Sequence, residues 1–310
     1  MANCLVLGAN GFLGSYIVDM LDSHHHFVRA FDKFRGNDVR FNRSDRIELY
    51  HGEFLNEADL REALEGIDYV FHFISTTTPI SSLENPLVEI DTNIRCSVEL
   101  FQLCVEANVK KVIFASSGGA IYGNIDTDLI SEDTIPNPIS PYAVGKLSIE
   151  KFLDYFREKS GLESVSYRIS NPYGARQSLN SKQGVIPIFL NHVASGEPIT
   201  IYGDGSMVRD YLYVKDAAQL IVSSFEETRF NVYNVGSGTG VSLNELLETI
   251  NSITGKIAKV HYVSAPSTFV ERNVLDTSRF VSEFGITSDT SLAQGIELTW
   301  EHILHNRIEK

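Results

Sequence analysis

Short apolar runs alternate with segments of helical periodicity through the first half of this 310-residue chain. A short apolar run is typical of a buried strand, whereas apolar residues three and four apart predict a helix. The predicted strands are Cys4–Leu7, Phe27–Phe31, Tyr69–Ile74 and Val112–Ser116, and the predicted helices are Phe12–Asp22, Glu57–Leu64, Thr92–Ala107 and Pro141–Lys159. Because this alternation is typical of right-handed strand–helix–strand units, we predict an α/β fold with a doubly wound parallel sheet.

The rhythm changes after Asn171, where Pro, Gly and Asn become frequent. The segments 184–195, 199–214, 231–235 and 242–254 mix short strands and helices. We therefore predict a first domain of residues 1–171, to which 208–236 returns, and a smaller α/β lobe of residues 172–310 over the strand ends. In doubly wound sheets, ligands bind outside the carboxyl ends of the strands, so we expect the chemistry there.

Three glycines, Gly8, Gly11 and Gly14, lie directly between the first predicted strand and the first predicted helix. This spacing permits a tight turn, close approach of the backbone to a pyrophosphate, and close packing of helix on strand, while the helix N-terminus offers N–H groups to the phosphates. Asp32 follows 18 residues after Gly14 at the end of the second strand. A carboxylate there binds a ribose diol and repels a 2′-phosphate, so a Rossmann-type site for NAD rather than NADP is predicted, although Lys33 and Arg35 weaken that preference.

Tyr142 and Lys146 lie four residues apart, on one face of a predicted helix. A free tyrosine has a pKa near ~10 and is a poor base at neutral pH. A neighbouring ammonium stabilises the phenolate and lowers the pKa of the phenol toward the range useful for proton transfer. The pattern alone is common on helix surfaces, but here it follows the strand that ends at Ser116 and Ser117 in a chain with a dinucleotide site. We therefore interpret it as a catalytic pair.

With these motifs, the sequence resembles the extended short-chain dehydrogenases/reductases, and among them the NAD-dependent sugar epimerase/dehydratase group that includes the UDP-galactose 4-epimerases. The resemblance covers residues 5 to about 298, nearly the whole chain. Beyond the motifs above, it rests on Val70-Phe71-His72, Asn93, Ser116–Gly123, Arg168–Gly174, Tyr202–Gly205 and Val208–Tyr211. It implies a nucleotide-sugar substrate, bound NAD and, as in many family members, a homodimer through Thr92–Ala107 and Pro141–Lys159.

The resemblance also implies roles for individual residues. Tyr142 would take the proton of the sugar O4 while the C4 hydride passes to NAD, Lys146 would also bind the nicotinamide ribose, and Ser117 would hydrogen-bond the same sugar oxygen. The expected cofactor-binding residues are Gly8, Gly11, Phe12, Leu13, Gly14, Asp32, Lys33, Glu53, Phe54, Phe73, Ile74, Ser75, Asn93, Ser116, Tyr142 and Lys146. The expected substrate-binding residues are Thr76, Ser117, Tyr142, Asn171, Val185, Tyr202, Arg209 and Asn273.

Several of these residues have a simpler alternative. Arg209 offers a planar fork of donors that suits a diphosphate, and the less favoured alternative is a salt bridge with Asp210 or another carboxylate. For Asn93 and Asn171 the less favoured alternative is a helix or turn cap.

The loop after the fourth predicted strand departs from the family pattern. Counting back from Tyr122-Gly123 places Gly118 at the family's Ser/Thr position, whereas counting forward from the strand selects Ser117. We prefer Ser117, because strand ends fix geometry better than loops do. The segment Gly118–Ala120 also lacks the Glu or Asp-Glu pair that related dehydratases and decarboxylases carry, so neither of those activities is expected.

A second departure concerns the diphosphate. The Arg and Asp that the family usually has about ten and seven residues before a Leu-Asp pair are missing before Leu275-Asp276, where the chain reads 266–272 as PSTFVER. Either the diphosphate is bound less tightly, or Arg272 is the substitute. Asn273 lies where the family tunes tolerance for bulk at the sugar C2 and does not decide between the candidate sugars.

Charge and composition exclude other partners. The formal net charge of -14 argues against nucleic acid or an anionic membrane surface, and no apolar stretch approaches the ~18 residues of a membrane span. The three cysteines are odd in number and lack metal-site spacing, which favours a reduced, cytoplasmic protein. The run His24–His26 has no other ligand types nearby, so we predict a solvated turn and no metal site.

Three functions are then compared. The first is a nucleotide-sugar 4-epimerase acting on UDP-glucose and UDP-galactose or their N-acetylated counterparts. The second is an NAD(P)H-dependent 4-ketoreductase of a deoxysugar nucleotide, which uses the same triad but consumes the reduced cofactor. The third is a redox-sensing binding protein that retains the fold; it would not need Tyr142 and Lys146, so it is the least favoured.

Overall fold

The computed structural model describes residues 1–35, 38–177, 184–264 and 270–308. The chain divides into two compact units. The first comprises Met1–Ile121, Pro138–Arg168 and Ala218–Tyr233, and the second comprises Tyr122–Asn137, Ile169–Ala217 and Asn234–Lys310. Residues 122–137 and 208–217 thus fall in the second unit, unlike in the predicted ranges. The predicted boundaries of the cofactor and substrate domains stay a prediction.

The strands, in chain order, are β1 (Asn3–Leu7), β2 (Phe27–Asp32), β3 (Ile47–His51), β4 (Tyr69–His72), β5 (Lys111–Ser117), β6 (Glu163–Ile169), β7 (Asn171–Tyr173), β8 (Ile199–Tyr202), β9 (Val208–Tyr213), β10 (Val232–Val235), β11 (Gly240–Ser242), β12 (Val260–Val263) and β13 (Arg272–Asn273). The α-helices are α1 (Phe12–Ser23), α2 (Glu57–Ala63), α3 (Pro79–Glu84), α4 (Pro86–Val88), α5 (Arg95–Glu106), α6 (Gly118–Ile121), α7 (Pro141–Ser160), α8 (Val185–Ser195), α9 (Val214–Val222), α10 (Leu243–Thr254), α11 (Ser278–Phe284) and α12 (Leu292–Ile308). Residues Glu89–Ile94 form a π-helical segment directly before α5.

A seven-stranded sheet has the strand order β10-β6-β5-β4-β1-β2-β3. The pairings of β1 with β2 and β4, of β2 with β3, and of β4 with β5 are parallel. The order reverses between β1 and β4, where doubly wound sheets bind their ligands. The predicted α/β fold is therefore confirmed, and the carboxyl ends of β1, β4 and β5 lie at one edge of the sheet.

The core of the first unit explains why its strands were recognisable. Cys4, Leu5, Val6 and Leu7 are completely buried, as expected for a strand covered on both faces. Helices α5 and α7 contribute apolar side chains to the same core, namely Leu100, Phe101, Ile149, Leu153 and Phe156.

The second unit has a separate core and two small sheets. One sheet has the order β11-β9-β13, with β7 also paired with β9, and the other pairs β12 with β8. The apolar faces of α8, α10 and α12 pack together through Leu190, Leu246, Ile250, Ile296 and Ile303. In α10, the apolar residues at helical spacing follow a capping box between Ser242 and Glu245, which fixes where the helix begins.

Some details differ from the predictions. Strand β4 ends at His72 rather than at Ile74, and the predicted helix Thr92–Ala107 begins inside the π-helical segment. The prediction of a solvated turn is wrong for His26, which is buried with its ring 5.6 Å from that of Phe225. No helix in the described parts of the chain is both long and apolar enough to cross a membrane.

Candidate active site

The glycine loop joins β1 to α1. Gly8 has a φ of +83°, and a Cβ at this position would press on the backbone of Phe73 and Ile74 at 3.0–3.1 Å. A Cβ at Gly14 would overlap the carbonyl of Gly8. Gly11 is the N-cap residue of α1 and provides no side-chain cap. The loop thus lies tightly against the end of β4, and the N-terminus of α1 at Phe12 and Leu13 is left to a ligand's phosphates.

Asp32 ends β2 beside this loop. Its Oδ2 accepts a hydrogen bond from the Asn10 amide at 2.9 Å, and its Oδ1 accepts one from the Lys33 amide at 2.7 Å. The Lys33 ammonium lies 3.5 Å from Oε2 of Glu53. The carboxylate of Asp32 is therefore held next to the glycine loop by backbone donors, while the positive charge of Lys33 is turned toward another carboxylate.

The residues after β4 are held by Asn93. The Oδ1 of Asn93 accepts hydrogen bonds from the amide of Thr76 at 3.0 Å and from its hydroxyl at 3.1 Å. The Nδ2 of Asn93 donates to Thr77 Oγ1 at 3.0 Å. Ser75 donates to the Thr77 carbonyl at 3.0 Å, so the turn is fixed from both sides. Asn93 therefore orders the segment Phe73–Thr77 rather than capping a helix.

Two predicted cofactor residues have side chains in the interior. Phe54 is only 2% exposed and packs against His72, with ring centroids 5.3 Å apart. The Ser116 hydroxyl donates to Glu150 Oε1 at 2.6 Å, and Arg168 donates to the same carboxylate at 2.7 and 3.1 Å. A buried ion pair needs all of its acceptors satisfied, which explains why the Ser116 side chain is directed inward. Only the backbone of these two residues is left for a cofactor.

The predicted catalytic residues come together at the end of β5. Helix α7 begins after Ser140, whose hydroxyl accepts from the Ala143 amide at 3.3 Å, so Tyr142 lies in the first turn. The Ser117 side chain lies close enough to the Tyr142 phenol to lower its pKa. The Lys146 ammonium donates to the Ala115 carbonyl at 2.8 Å and lies 5.7 Å from the centre of the Tyr142 ring.

The surroundings of Ser117 and Gly118, the two candidates for the serine position, differ. Ser117 ends β5 and contacts Tyr142, whereas Gly118 is buried as the first residue of the short helix α6. The count from the strand therefore selects the residue whose hydroxyl lies beside Tyr142, and Ser117 stays the predicted serine.

The electrostatics of the pair correct one expectation. Loss of solvation raises the pKa of Tyr142 to about 12; the Ser117 hydrogen bond opposes this and the charge of Glu89 adds to it. Loss of solvation also lowers the pKa of Lys146 to about 8, against the charges of Glu89 and Glu150. The prediction that Lys146 keeps the phenol acidic is thus wrong for this state. Burial outweighs an ammonium that is directed at a carbonyl oxygen rather than at the phenol oxygen.

Sequence reasoning missed two buried carboxylates. Glu150 is 3% exposed and follows Lys146 by one helical turn, and Glu89 is 2% exposed and precedes Asn93 by one turn. Both could have been found in the sequence, because each is a charged residue four positions from an expected site residue on a helix face that also carries apolar residues.

The predicted substrate residues of the second unit surround strand β9. Arg209 is partly buried and donates to the carbonyls of Val208 at 2.8 Å and Val270 at 2.7 Å. No salt bridge of Arg209 with Asp210 is found, because the Asp210 carboxylate accepts from Ser237 and Gly238 instead. Loss of solvation lowers the pKa of Arg209 to about 10.

The other residues of this group are spread along neighbouring elements. Asn171 donates to the Asp210 carbonyl at 2.9 Å, and Asn273 is buried in register with Arg209. Val185 begins α8 and packs on the core, whereas Tyr202 is 56% exposed at the end of β8. The structure therefore places Asn273 beside Arg209 and Asn171 beside Asp210, while Val185 and Tyr202 lie on the separate elements α8 and β8.

A Rossmann-type sheet with a glycine loop, Asp32 and a Ser117/Tyr142/Lys146 cluster defines the class of the short-chain dehydrogenases/reductases. The family model described as the NAD dependent epimerase/dehydratase family matches residues 4–236. The chain belongs to this family.

Similar proteins include both enzyme types considered above. The chain is 32% identical over 300 residues to a dTDP-4-dehydro-6-deoxyglucose reductase of Escherichia coli, covering 94% of this chain and 95% of that one. It is 31% identical over 304 residues to a UDP-glucose 4-epimerase of Mycolicibacterium smegmatis, covering 96% and 97%. Among solved structures, the UDP-glucose 4-epimerase of Thermotoga maritima with UDP-glucose has a TM-score of 0.92 at 33% identity, covering 98% and 99%. The UDP-N-acetylglucosamine 4-epimerase of Methanobrevibacter ruminantium M1 has a TM-score of 0.91 at 32% identity and the same coverage.

Proposed function

We propose that this protein is an NAD-dependent nucleotide-sugar 4-epimerase that acts on UDP-glucose and UDP-galactose or on their N-acetylated counterparts. The observation that carries the proposal is the contact of Tyr142 with Ser117 at the carboxyl end of β5, with Lys146 one helical turn behind. Relatives that are named 4-epimerases cover nearly the whole chain and support the same activity.

The residues at the end of β1 fit NAD. The glycine loop is a cradle that a Cβ at Gly8 or Gly14 would fill, and it opens onto the N-terminus of α1. Asp32 presents a carboxylate beside it, which suits a ribose diol. Lys146 and the backbone of Phe73–Ser75 would hold the nicotinamide end. When bound, NAD supplies the acceptor and donor of the C4 hydride.

The protein's own groups move the proton. Ser117 and Tyr142 would both hydrogen-bond the sugar O4, and the Tyr142 oxygen would take its proton as the C4–H bond breaks. Lys146 would favour the phenolate only once its ammonium turns from the Ala115 carbonyl toward the phenol oxygen. The ketone at C4 would then be presented from its other face, and Tyr142 would return the proton to O4. The segment Gly118–Ala120 offers no acid for an elimination, so the sugar keeps its other substituents.

Arg209 is the proposed ligand of the substrate diphosphate. Its guanidinium is positioned by two backbone carbonyls, and within the described residues no carboxylate neutralises it. Asn171 would support the phosphates, Tyr202 would pack on the nucleobase, and Asn273, Thr76 and Val185 would contact the sugar nucleotide. Arg272 is the less suitable cation, because its Nε donates to the Asp128 carbonyl at 3.2 Å and lies 3.6 Å from Asp128 Oδ1.

The test is to incubate the purified protein with UDP-glucose, UDP-galactose and both UDP-N-acetylhexosamines, without added cofactor. Appearance of the C4 epimer, measured by chromatography and NMR, is the expected result. No epimer from any of the four sugars would overturn the proposal.

A 4-ketoreductase is the second candidate, and the likeness to the E. coli dTDP-4-dehydro-6-deoxyglucose reductase favours it. The two functions differ in how the cofactor is used. Stoichiometric oxidation of NADH with a 4-keto-6-deoxy nucleotide sugar, and no epimerisation of UDP-sugars, would decide for the reductase.

We also propose a homodimer formed through α5 and α7. The outer face of α7 exposes Val144, Phe152 and Tyr155, an apolar surface that pairing would cover. Sedimentation velocity on the protein and on a Phe152→Lys variant tests this proposal. The cytoplasm is the proposed compartment, and it is supported by three free, buried cysteines.

A further inference from the structure

A buried carboxylate lies behind the Tyr142/Lys146 pair. Glu89 begins the π-helical segment and is 2% exposed. Its Oε2 accepts hydrogen bonds from the Thr77 hydroxyl and from Asn93 Nδ2, the latter at 2.9 Å. Its Oε1 is buried and has no hydrogen-bond partner among the described residues. Burying a carboxylate oxygen without a hydrogen-bond donor costs free energy, so we looked for a role that would explain the position of Glu89 Oε1.

The Glu89 carboxylate is packed directly on helix α7, which carries Tyr142 and Lys146. A Cβ added to Gly145 would overlap Oε1, Cδ and Cγ of Glu89. Gly145 lies between Tyr142 and Lys146 in the sequence of α7, so Glu89 fills a space that only a glycine can leave on this turn. Glycine is otherwise unfavourable in the interior of a helix, by roughly 1 kcal/mol relative to alanine. The pairing of Gly145 with Glu89 is therefore a specific feature of this helix.

Glu89 also holds the turn after β4. Because Nδ2 of Asn93 donates to Glu89, Oδ1 of Asn93 is left to accept from the Thr76 amide and hydroxyl. Without the carboxylate, the amide group would be free to rotate by half a turn and present its donor to the Thr76 amide. The same carboxylate thus contacts the catalytic helix on one side and the turn Thr76–Thr77 on the other.

The charge of Glu89 acts on both members of the pair. It raises the pKa of Tyr142, and it raises the pKa of Lys146 against the effect of burial. The other charged group acting on Lys146 is Glu150, which is already paired with Arg168. His72 of β4 also faces Lys146, but burial lowers the pKa of His72 to about 3, so it is neutral. Glu89 is therefore the carboxylate that both groups share.

We propose that Glu89 is a positioning residue for the epimerase reaction: its carboxylate, seated in the space left by Gly145, orients Asn93 and places a negative charge against the turn of α7 that carries Tyr142 and Lys146. This inference rests on the proposed function and deepens it. Glu89 touches neither the sugar nor the reacting atoms in this role, and it acts through Tyr142, Lys146 and Asn93.

The test compares Glu89→Gln, which keeps the shape and removes the charge, with Asp91→Asn, which removes an exposed charge from the same π-helical segment. The Lys146 side chain is titrated by NMR with ¹³Cε-labelled lysine, and its signal is assigned by its loss in Lys146→Met. Removing a buried negative charge nearby is expected to move the Lys146 midpoint to lower pH by roughly 1 unit, and with it the pH at which the kcat profile levels off. KM for the sugar nucleotide and the Asp91→Asn titration are expected to stay unchanged.

A purely structural Glu89 would predict a loss of stability without movement of either midpoint, and that result would overturn the proposal. Should Glu89→Gln not fold, Gly145→Ala displaces the same carboxylate, and an unmoved Lys146 midpoint in that variant is equally decisive against it. The lysine titration needs no turnover. A wild-type protein that does not epimerise any sugar overturns the proposed function alone, whereas an unmoved midpoint in an active enzyme overturns the inference alone.

Discussion

Two cations lie mostly out of solvent, one in each unit, and their surroundings differ. Lys146 of the first unit has the carboxylates of Glu89 and Glu150 close enough to raise its pKa. Arg209 of the second unit is held by two carbonyl oxygens, and the described residues place no carboxylate on it. The first cation thus has its counter-charge built into the fold, which suits proton transfer. The second depends on an anion from solution, which suits binding.

The largest effect expected is on Tyr142, the group that Lys146 serves. Tyr142→Phe removes the proton acceptor and leaves the ring, so kcat is expected to fall by about 10³- to 10⁴-fold, since general base catalysis contributes of that order. NAD affinity and the melting temperature are expected to stay close to those of the wild type. Undiminished turnover in this variant would contradict the assignment of the first unit's cation to proton transfer, because the internal charges around Lys146 would then serve no chemistry.

The second prediction concerns the buried ion pair between Arg168 and Glu150 of helix α7. Arg168 and Glu150 are both almost fully buried, and the Ser116 hydroxyl completes their network. Arg168→Met leaves the Glu150 charge unpaired, and the expected loss is about 3–5 kcal/mol in the free energy of unfolding by urea. The control is Lys151→Met, which breaks an exposed pair with Asp154 on the same helix and is expected to change little. Equal losses in both variants would contradict the prediction.

The first unit was the more predictable of the two from sequence. Strand β1 is buried from Cys4 to Leu7 and β2 is partly buried, so both were predicted, and the motifs lie at strand ends and helix starts. Strand β3, which has no buried residue, was not predicted. The sequence did not predict in which direction individual side chains point in tertiary contacts. Nothing local tells that Ser116 is directed at Glu150 whereas Ser117 is directed at Tyr142.

The second unit was predicted only in outline, for physical reasons. Its strands β11 and β13 have three and two residues, too few for a period to emerge. The Asp210 carboxylate organises it by accepting from Ser237, Gly238 and Leu275, which are distant in sequence. Such contacts have no signature in spacing, so the salt bridge considered for Arg209 could be decided only by the structure.

The third prediction tests the cation of the second unit. Arg209→Met removes a donor set that charge-assisted hydrogen bonds make strong, so KM for the sugar nucleotide is expected to rise by about 10²-fold, with a smaller change in kcat. Arg272→Met is the matched control in the neighbouring strand β13, and its effect is expected to be within a few-fold because Arg272 already contacts Asp128. A larger effect of Arg272 than of Arg209 would reverse the assignment of the diphosphate ligand.

The last prediction uses pH to separate the two cations in one enzyme. The pKa of Lys146 is lowered to about 8 and that of Arg209 to about 10, both by burial. A cation is charged below its pKa and loses its charge as the pH rises through it. Tyr142 must lose its proton to act as the base, so kcat is expected to rise with pH up to about 8, by at most about tenfold per unit, and to level off there as Lys146 loses its charge, while KM stays level until the pH approaches 10. Initial rates at varied sugar-nucleotide concentration between pH 6 and about 10 measure both limbs, with stability at each pH checked by return to neutral pH. If kcat and KM instead change together at one pH, a single group controls both steps, and the division between an internal charge for catalysis and an open charge for binding does not hold.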